Sequence, residues 1–322
     1  MSSLDKAIGG YFEFELSSGA GTYHQGVITY QSARAAFLSL LRSLPNVQRV
    51  WMPCYICDSM LSSVHAAGKE IVFYNVDSQF YPKRNISLRS SDVLLHVNYF
   101  GVCGQQVKEL LNEFNSEQII VDASQSFYSE PSNCLATIYS PRKFFGVPDG
   151  GFLATTHPVK LPEDRDEDSV NRMQHLFTRI AFSPELGFKR YKQAEDSLQE
   201  LEPKRISKLT ERLLDSIDYR SIQKQRKENF NYLHERLGKT NQLSLEITDL
   251  TALCYPYMPN RQLSREFLRQ NKIYIPTYWP EVLSRPHSQG AEEKFVNSLF
   301  AVPCDQRYKR SDLDSIIFFM SN

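Results

Sequence analysis

The chain has 322 residues, enough for one large or two moderate domains with a substantial core, and far more than a tail or a bare repeat. Lys and Arg total 37 and Asp and Glu total 37, so no net field draws the molecule toward nucleic acid or an acidic membrane, and any recognition of charge must be local. With 41% apolar residues, 20 Phe, 17 Tyr, and only 14 Gly and 16 Pro, the composition excludes a collagenous, linker-like or disordered chain.

Asp5, Lys6, Glu13 and Glu15 interrupt the opening stretch where a secretory signal needs an apolar run. No later segment has the make-up of a membrane span, and together these predict a cytoplasmic protein. Residues 31–44 read as a helix with Ser32 as N-cap and Ala36, Phe37, Leu40 and Leu41 on one face. A short strand at 49–53, a helix at 56–67 closed by Gly68, and a strand at 70–76 follow. The alternation continues with a strand at 92–97, a helix at 107–114, and strands at 118–122, 135–140 and 151–156. Short turn-bounded strands separated by amphipathic helices predict an α/β fold: an open, mainly parallel sheet flanked by helices, with ligands at the carboxyl ends of its strands. The charged, proline-containing stretch 158–169 reads as a mobile, solvated loop. Helical periodicity then dominates from 170 to 237, with Ile222, Phe230 and Leu233 as an apolar stripe. The remaining strand-like and helical runs predict a small, βαβ-containing α/β domain at the C-terminal end, giving a large domain at 1–217 and a small one at 218–322.

Six cysteines in a chain this long are too sparse for a disulfide framework and suit a reducing compartment. Cys54 and Cys57 form a C-x-x-C pair, which admits a dithiol redox reading or half of a zinc site. No second pair follows and the seven histidines never fall at ligand spacing, so no metal is expected and the thiols read as packing or pocket-lining groups.

The chemistry concentrates at the ends of two successive strands. One ends in Asp122; after the next come Ser140 and Lys143, so a carboxylate, a hydroxyl and an amine reach one edge of the sheet. Singly each is weak evidence: a strand-ending Asp often caps a turn, and Ser-x-x-Lys fits a hydrolase, a phosphate site or nothing. With the helix start at Ser32 available to cradle a phosphate, they match what pyridoxal phosphate (PLP) needs: a lysine for the Schiff base, an aspartate on the pyridine nitrogen, and donors for the phosphate.

The motifs IVDASQSF and YSPRKFFGVPDGG resemble those of fold-type I PLP enzymes, more narrowly the DegT/DnrJ/StrS type sugar aminotransferases. The resemblance extends through TYQSARAAF, VWMPCYICDSM, VNYFG and RISKLTERLLDSIDYRSIQKQRKENF, most of the chain. It implies a fold-type I large domain with a mixed, mainly parallel sheet. It also implies that Lys143 is the Schiff-base lysine, that Asp122 partners the pyridine nitrogen, and that Gln125 lies beside the phenolic oxygen. Ser32, the Ala33 N–H and Ser140 would hold the phosphate, and Tyr55 or Cys57 would face the ring. The implied activity moves an amine from an amino acid, L-glutamate for choice, to a keto sugar, nucleotide-linked and bound for surface polysaccharide, in a homodimer.

The chain departs from the family pattern at several places. Ile138 stands where a serine is usual, Cys57 where an aromatic is expected, Asp149 where a glutamate precedes the two glycines, and Pro203 where a partner-subunit asparagine belongs. Residues 161–202 have no counterpart. Two other classes remain open: a PLP-fold protein that is non-catalytic or dehydrates a sugar, and a dithiol redox protein built on Cys54 and Cys57. Retention of Lys143 favours transamination over both.

Overall fold

The computed structural model describes residues 8–19, 21–83, 86–199, 202–245, 250–285 and 290–321. Asp5 and Lys6 lie outside them. Its centre is a seven-stranded sheet in the order β1-β7-β6-β5-β4-β2-β3. The strands are β1 (Ile28–Tyr30), β2 (Arg49–Pro53), β3 (Glu70–Tyr74), β4 (Asp92–Val97), β5 (Ile119–Asp122), β6 (Ala136–Tyr139) and β7 (Gly151–Ala154). Strands β2 to β6 run parallel, whereas β7 runs antiparallel to both β6 and β1. The sheet is therefore mixed and mainly parallel. β4, β5 and β6 are buried along their whole length, the pattern of inner strands covered on both faces. β1, three residues long and half-polar, carries no such signal and was not foreseen.

Helices α1 (Ala33–Arg42), α2 (Asp58–Ala66) and α3 (Gly104–Glu113) connect these strands. α1 starts where expected: Ser32 is extended and its hydroxyl accepts the Ala35 N–H, the N-cap bond that satisfies one orphan donor of the first turn. Ala35, Ala36, Phe37, Leu38, Leu40 and Leu41 are all inaccessible to solvent, so α1 is an inner helix rather than an amphipathic surface one, and its rigidity fixes Ser32.

After β7 the chain runs through α4 (Ser169–Arg172), α5 (Gln174–Ala181), α6 (Pro184–Ser197), α7 (Lys208–Asp215) and α8 (Tyr219–Leu237). The stretch 158–169 is not simply solvated. Asp166 is buried in an ion pair with Arg172, and Arg165 bridges to Arg205. A buried pair of this kind is held by its geometry, and removal of either member strands a charge.

The C-terminal part holds β8 (Tyr255–Tyr257), α9 (Arg265–Gln270), α10 (Ala291–Ser298), β9 (Phe300–Val302) and α11 (Arg310–Ser321). The expected βαβ unit is absent among the described residues: the strand-like run 272–276 after α9 forms no strand, and β8 pairs antiparallel with β9 instead. Phe230, Leu233 and Leu237 of α8 pack with Tyr255, Tyr257, Val302, Leu313 and Ile316 into a second apolar cluster. The expected stripe holds at Phe230 and Leu233; Ile222 packs instead on a third cluster around Phe127, Phe144 and Phe145. No described helix is long and apolar enough to cross a membrane.

Candidate active site at the carboxyl edge of the sheet

Register places the singled-out residues along one edge. Val97 pairs with Asp122 and Asp122 with Ile138 across β4, β5 and β6, so Asn98, Asp122 and Ser140 follow each other at three neighbouring strand ends. Because β7 is antiparallel on both sides, β1 runs in the same sense as β6, and Tyr30 lies opposite Gly151 at the same edge. Ser32, just beyond β1, bridges to Gly150, and Cys54 to Cys57 leave the end of β2. Such an edge is where doubly wound sheets take their ligands.

Asp122 is buried; one carboxylate oxygen, Oδ1, accepts the Ser124 N–H at 2.8 Å, and Oδ2 makes no hydrogen bond among the described residues. Gln125 Oε1 accepts the Phe100 N–H at 2.7 Å, which fixes Phe100 at a φ of 55°. Its Nε2 is buried without a partner, a donor left free at some cost. Ser140 is buried and starts the 3₁₀ turn Pro141–Lys143 without using its hydroxyl as a cap. Lys143 N donates to Ser140 O at 3.2 Å, while the Lys143 side chain is exposed and makes no ion pair among the described residues.

At the β1 end, Ser32 keeps its hydroxyl hydrogen to donate, and Ala33 and Arg34, as the first residues of α1, have no intrahelical acceptor for their N–H groups. Gly151 makes this approach possible. A Cβ there would stand 2.1 Å from the Ser32 carbonyl carbon and 2.3 Å from Ala33 N, so only glycine lets β7 pass the helix start. Gly151→Ala should therefore lower the thermal midpoint by several degrees, read by melting; an unchanged midpoint would contradict the close approach. Asp149, next to this turn, is fully buried and accepts the Ser207 N–H and hydroxyl at 2.8 Å each, and the Thr210 hydroxyl. Burial raises its carboxyl pKa, and those donors pull it back. Asp149 thus ties the glycine turn to the N-terminus of α7.

The cysteine pair separates by environment. Cys54 is buried and its thiol is pushed up to about 11, chiefly by burial, which disfavours a thiolate nucleophile. Cys57 is partly exposed and its Sγ lies 2.9 Å from Ser59 Oγ. Tyr55 is enclosed by Tyr99, Trp279 and Phe295, and its hydroxyl is buried without a partner. Of the two residues considered for the ring face, Cys57 alone has open surface.

Two arginines were not singled out from the sequence. Arg34, in the first turn of α1, is close enough to Cys57, Glu195 and Arg142 to feel their charge, and burial lowers its guanidinium pKa. Arg142 is itself ion-paired with Glu195 of α6. Arg226 of α8 is 2% exposed. Both lie in stretches that carry the family resemblance, TYQSARAAF and RISKLTERLLDSIDYRSIQKQRKENF, which assigns neither arginine a role of its own. Lys143 opens onto two adjoining cavities of about 580 and 740 Å³, both also lined by Arg179, Arg226 and Arg307. Asp122, Ser32, Gln125 and Ser140 do not line either one.

Neither a protein-family profile nor a curated protein sequence matches the chain. Solved structures do. A DegT DnrJ EryC1 StrS aminotransferase from Brucella abortus superposes with a TM-score of 0.61 at 15% identity, covering 93% of this chain and 86% of that one. The chain has the fold of that aminotransferase. PseC of Helicobacter pylori, an aminotransferase involved in the biosynthesis of pseudoaminic acid, gives a TM-score of 0.58 at 14% identity, over 91% of this chain and 85% of its own. NtdA of Bacillus subtilis, with bound cofactor PMP, gives 0.60 at 15% identity, over 91% and 72%.

Proposed function

We propose that the protein is a PLP-dependent aminotransferase that moves an amine between an amino acid and a keto sugar. The observation that carries this is the alignment of free groups at one sheet edge: an aspartate oxygen, an orphaned glutamine amide, a serine hydroxyl and a helix start, followed in the next turn by an unpaired lysine. The residues fit the cofactor. Ser32, Ala33 N–H and Ser140 would hold its phosphate, with Arg34 adding positive charge in the same helix turn. Asp122 would take the pyridine nitrogen, Gln125 Nε2 the phenolic oxygen, and Cys57 the ring face. When bound, PLP supplies the carbonyl that captures an amine and the ring that delocalises negative charge from the substrate carbon.

Lys143 would hold the cofactor between turnovers and would carry a proton from the substrate carbon, returning one in the second half. Asp122, fixed by Ser124, would hold the proton on the ring nitrogen. Over both halves the donor's C–NH₂ becomes C=O and the acceptor's C=O becomes C–NH₂, so no oxidant is consumed. L-glutamate is the proposed donor, and the acceptor a nucleotide-linked keto sugar for surface polysaccharide. All six cysteines are free thiols, which supports a cytoplasmic setting. Ile180, Phe182, Leu186 and Phe188 are exposed on and beside α5 and α6, next to the Lys143 cavities, and an apolar patch of this kind supports a homodimer in which a second copy would cover it.

The test is direct. Protein loaded with PLP should be yellow, sediment as a dimer, and bleach on addition of L-glutamate with release of 2-oxoglutarate equal to bound cofactor. Colour without bleaching by any amino acid would leave a cofactor-binding protein that transfers nothing.

A further inference from the structure

The Gln125 side chain is buried, and its two ends differ. Oε1 accepts the Phe100 N–H at 2.7 Å, whereas Nε2 is enclosed without a partner. Turned the other way, the amide would set its own NH₂ against that N–H, donor on donor, so Phe100 decides which end stays free. The turn that carries Phe100 is itself constrained. Phe100 and Gly101, in the 3₁₀ turn Tyr99–Gly101, both adopt left-handed backbone, with φ of 55° and 76°, a cost for phenylalanine that only its surroundings can hold. Gly101 is wedged between two stretches of main chain: a Cβ there would stand 2.9 Å from the Gln125 carbonyl oxygen and 3.3 Å from Ala252 Cα. On one side Asn98 braces the turn, its Oδ1 accepting the Cys103 N–H at 3.0 Å and its Nδ2 donating to Ser126 Oγ at 3.1 Å. On the other, the Leu253 N–H donates to the Phe100 carbonyl at 2.8 Å. Leu253 is held in turn by Arg226, whose fork is spent on the carbonyls of Ala252 and Leu253 at 3.2 Å and of Phe144, the residue after Lys143, at 3.3 Å. Both main-chain polar groups of Phe100 are therefore committed, one to the segment before β8 and one to Gln125.

We propose that Leu253 and Phe100 form a positioning relay that fixes the Gln125 amide with its NH₂ toward the cofactor, and so lowers the pH at which the bound cofactor loses its proton. The assignment deepens the aminotransferase reading and rests on it for the cofactor. Leu253 acts through Phe100, and Phe100 through Gln125. A donor locked in one direction favours the ionised phenolic oxygen. An amide free to turn would present its carbonyl to the same oxygen part of the time and lose that preference.

The PLP-loaded protein is titrated with base while its visible absorbance is followed. Gln125→Ala should raise the absorbance midpoint by about one pH unit, the scale of one hydrogen bond to a charged oxygen. Gly101→Ala, which drives a methyl group into the Gln125 main chain, should raise it in the same direction. The double variant should lie no higher than Gln125→Ala alone, because the turn acts only through the amide. Additive shifts, or a Gly101→Ala midpoint equal to the parent's, overturn the relay. Amide hydrogen exchange on the cofactor-free protein gives a second arm, which decides where Gly101→Ala fails to fold or the parent shows no midpoint. The Phe100 and Leu253 N–H groups should both be protected in the parent, and in Gln125→Ala the Phe100 N–H should exchange at least about tenfold faster while Leu253 keeps its protection. Equal Phe100 rates in the two proteins, or an unprotected Leu253 in the parent, reject the relay. Parent protein that stays colourless with PLP refutes the cofactor reading; yellow protein whose variants fail these tests refutes the relay alone. An unmoved midpoint in yellow Gln125→Ala protein takes the amide off the ring and the relay with it, and leaves the reading of Lys143 standing.

Discussion

Borohydride added to the PLP-loaded protein should fix the cofactor onto a single peptide, the one that carries Ser140 to Lys143. The reason is position. Lys143 ends the 3₁₀ turn that leaves β6, one strand away from Asp122, and its amine makes no ion pair among the described residues. A lysine on a rigid turn beside the bound carbonyl has an effective concentration that no surface lysine matches. Lys143→Ala should keep the fold, because the side chain is exposed and contributes little burial, and should keep the phosphate and pyridine contacts proposed for Ser32, Ser140 and Asp122. Turnover should fall by roughly 10³-fold or more, since the variant lacks both the covalent tether and the proton carrier. Mass spectrometry of the labelled digest checks the first part and steady-state rates the second. Label on a different lysine, or an active alanine variant, would remove the central residue of the proposal.

Asp122→Asn is the second variant with a large expected effect. The carboxylate sits at the end of β5 with Oδ1 held by the Ser124 N–H and Oδ2 open, so an amide would fit the same space and keep one hydrogen bond. What it removes is the negative charge proposed to keep a proton on the ring nitrogen. Rates should drop on the order of 10²- to 10³-fold while cofactor still binds, the usual scale for loss of one charge-stabilising group. The readout that separates this from a structural role is the split between cofactor affinity and turnover. A variant with wild-type rates, or one that has simply unfolded, would take Asp122 out of the role.

Much of this arrangement is legible in the chain because turn-bounded apolar runs announce inner strands. β2 and β4 carry the expected bounds, and Ser32 caps α1 as its position beside a helical stripe requires. Asp122 and Lys143 are visible through motif and spacing. What escaped was decided by long-range contacts. β1 is three residues held only by β7, more than a hundred positions away. The antiparallel sense of β8 and β9 depends on how α9 and α10 pack, and no local signal sets that. Arg226 lies in the charged sequence of α8, where only the fold reveals that the residue points inward while its neighbours Gln225 and Lys227 do not.

The stitching around Gln31 has a consequence for how the molecule comes into being. Gln31 N–H donates to Lys204 O, its amide donates to Glu202 O and accepts the Lys204 N–H, and its carbonyl takes the Gly150 N–H. These partners stand up to 173 positions downstream. During synthesis the turn at Ser32 emerges early, but the bonds of Gln31 beside it cannot form until the glycine turn and the segment before α7 leave the ribosome. Contacts of such separation carry a large closure entropy and form late. The β1 end of the proposed cofactor site is therefore complete only once about two thirds of the polypeptide has been made.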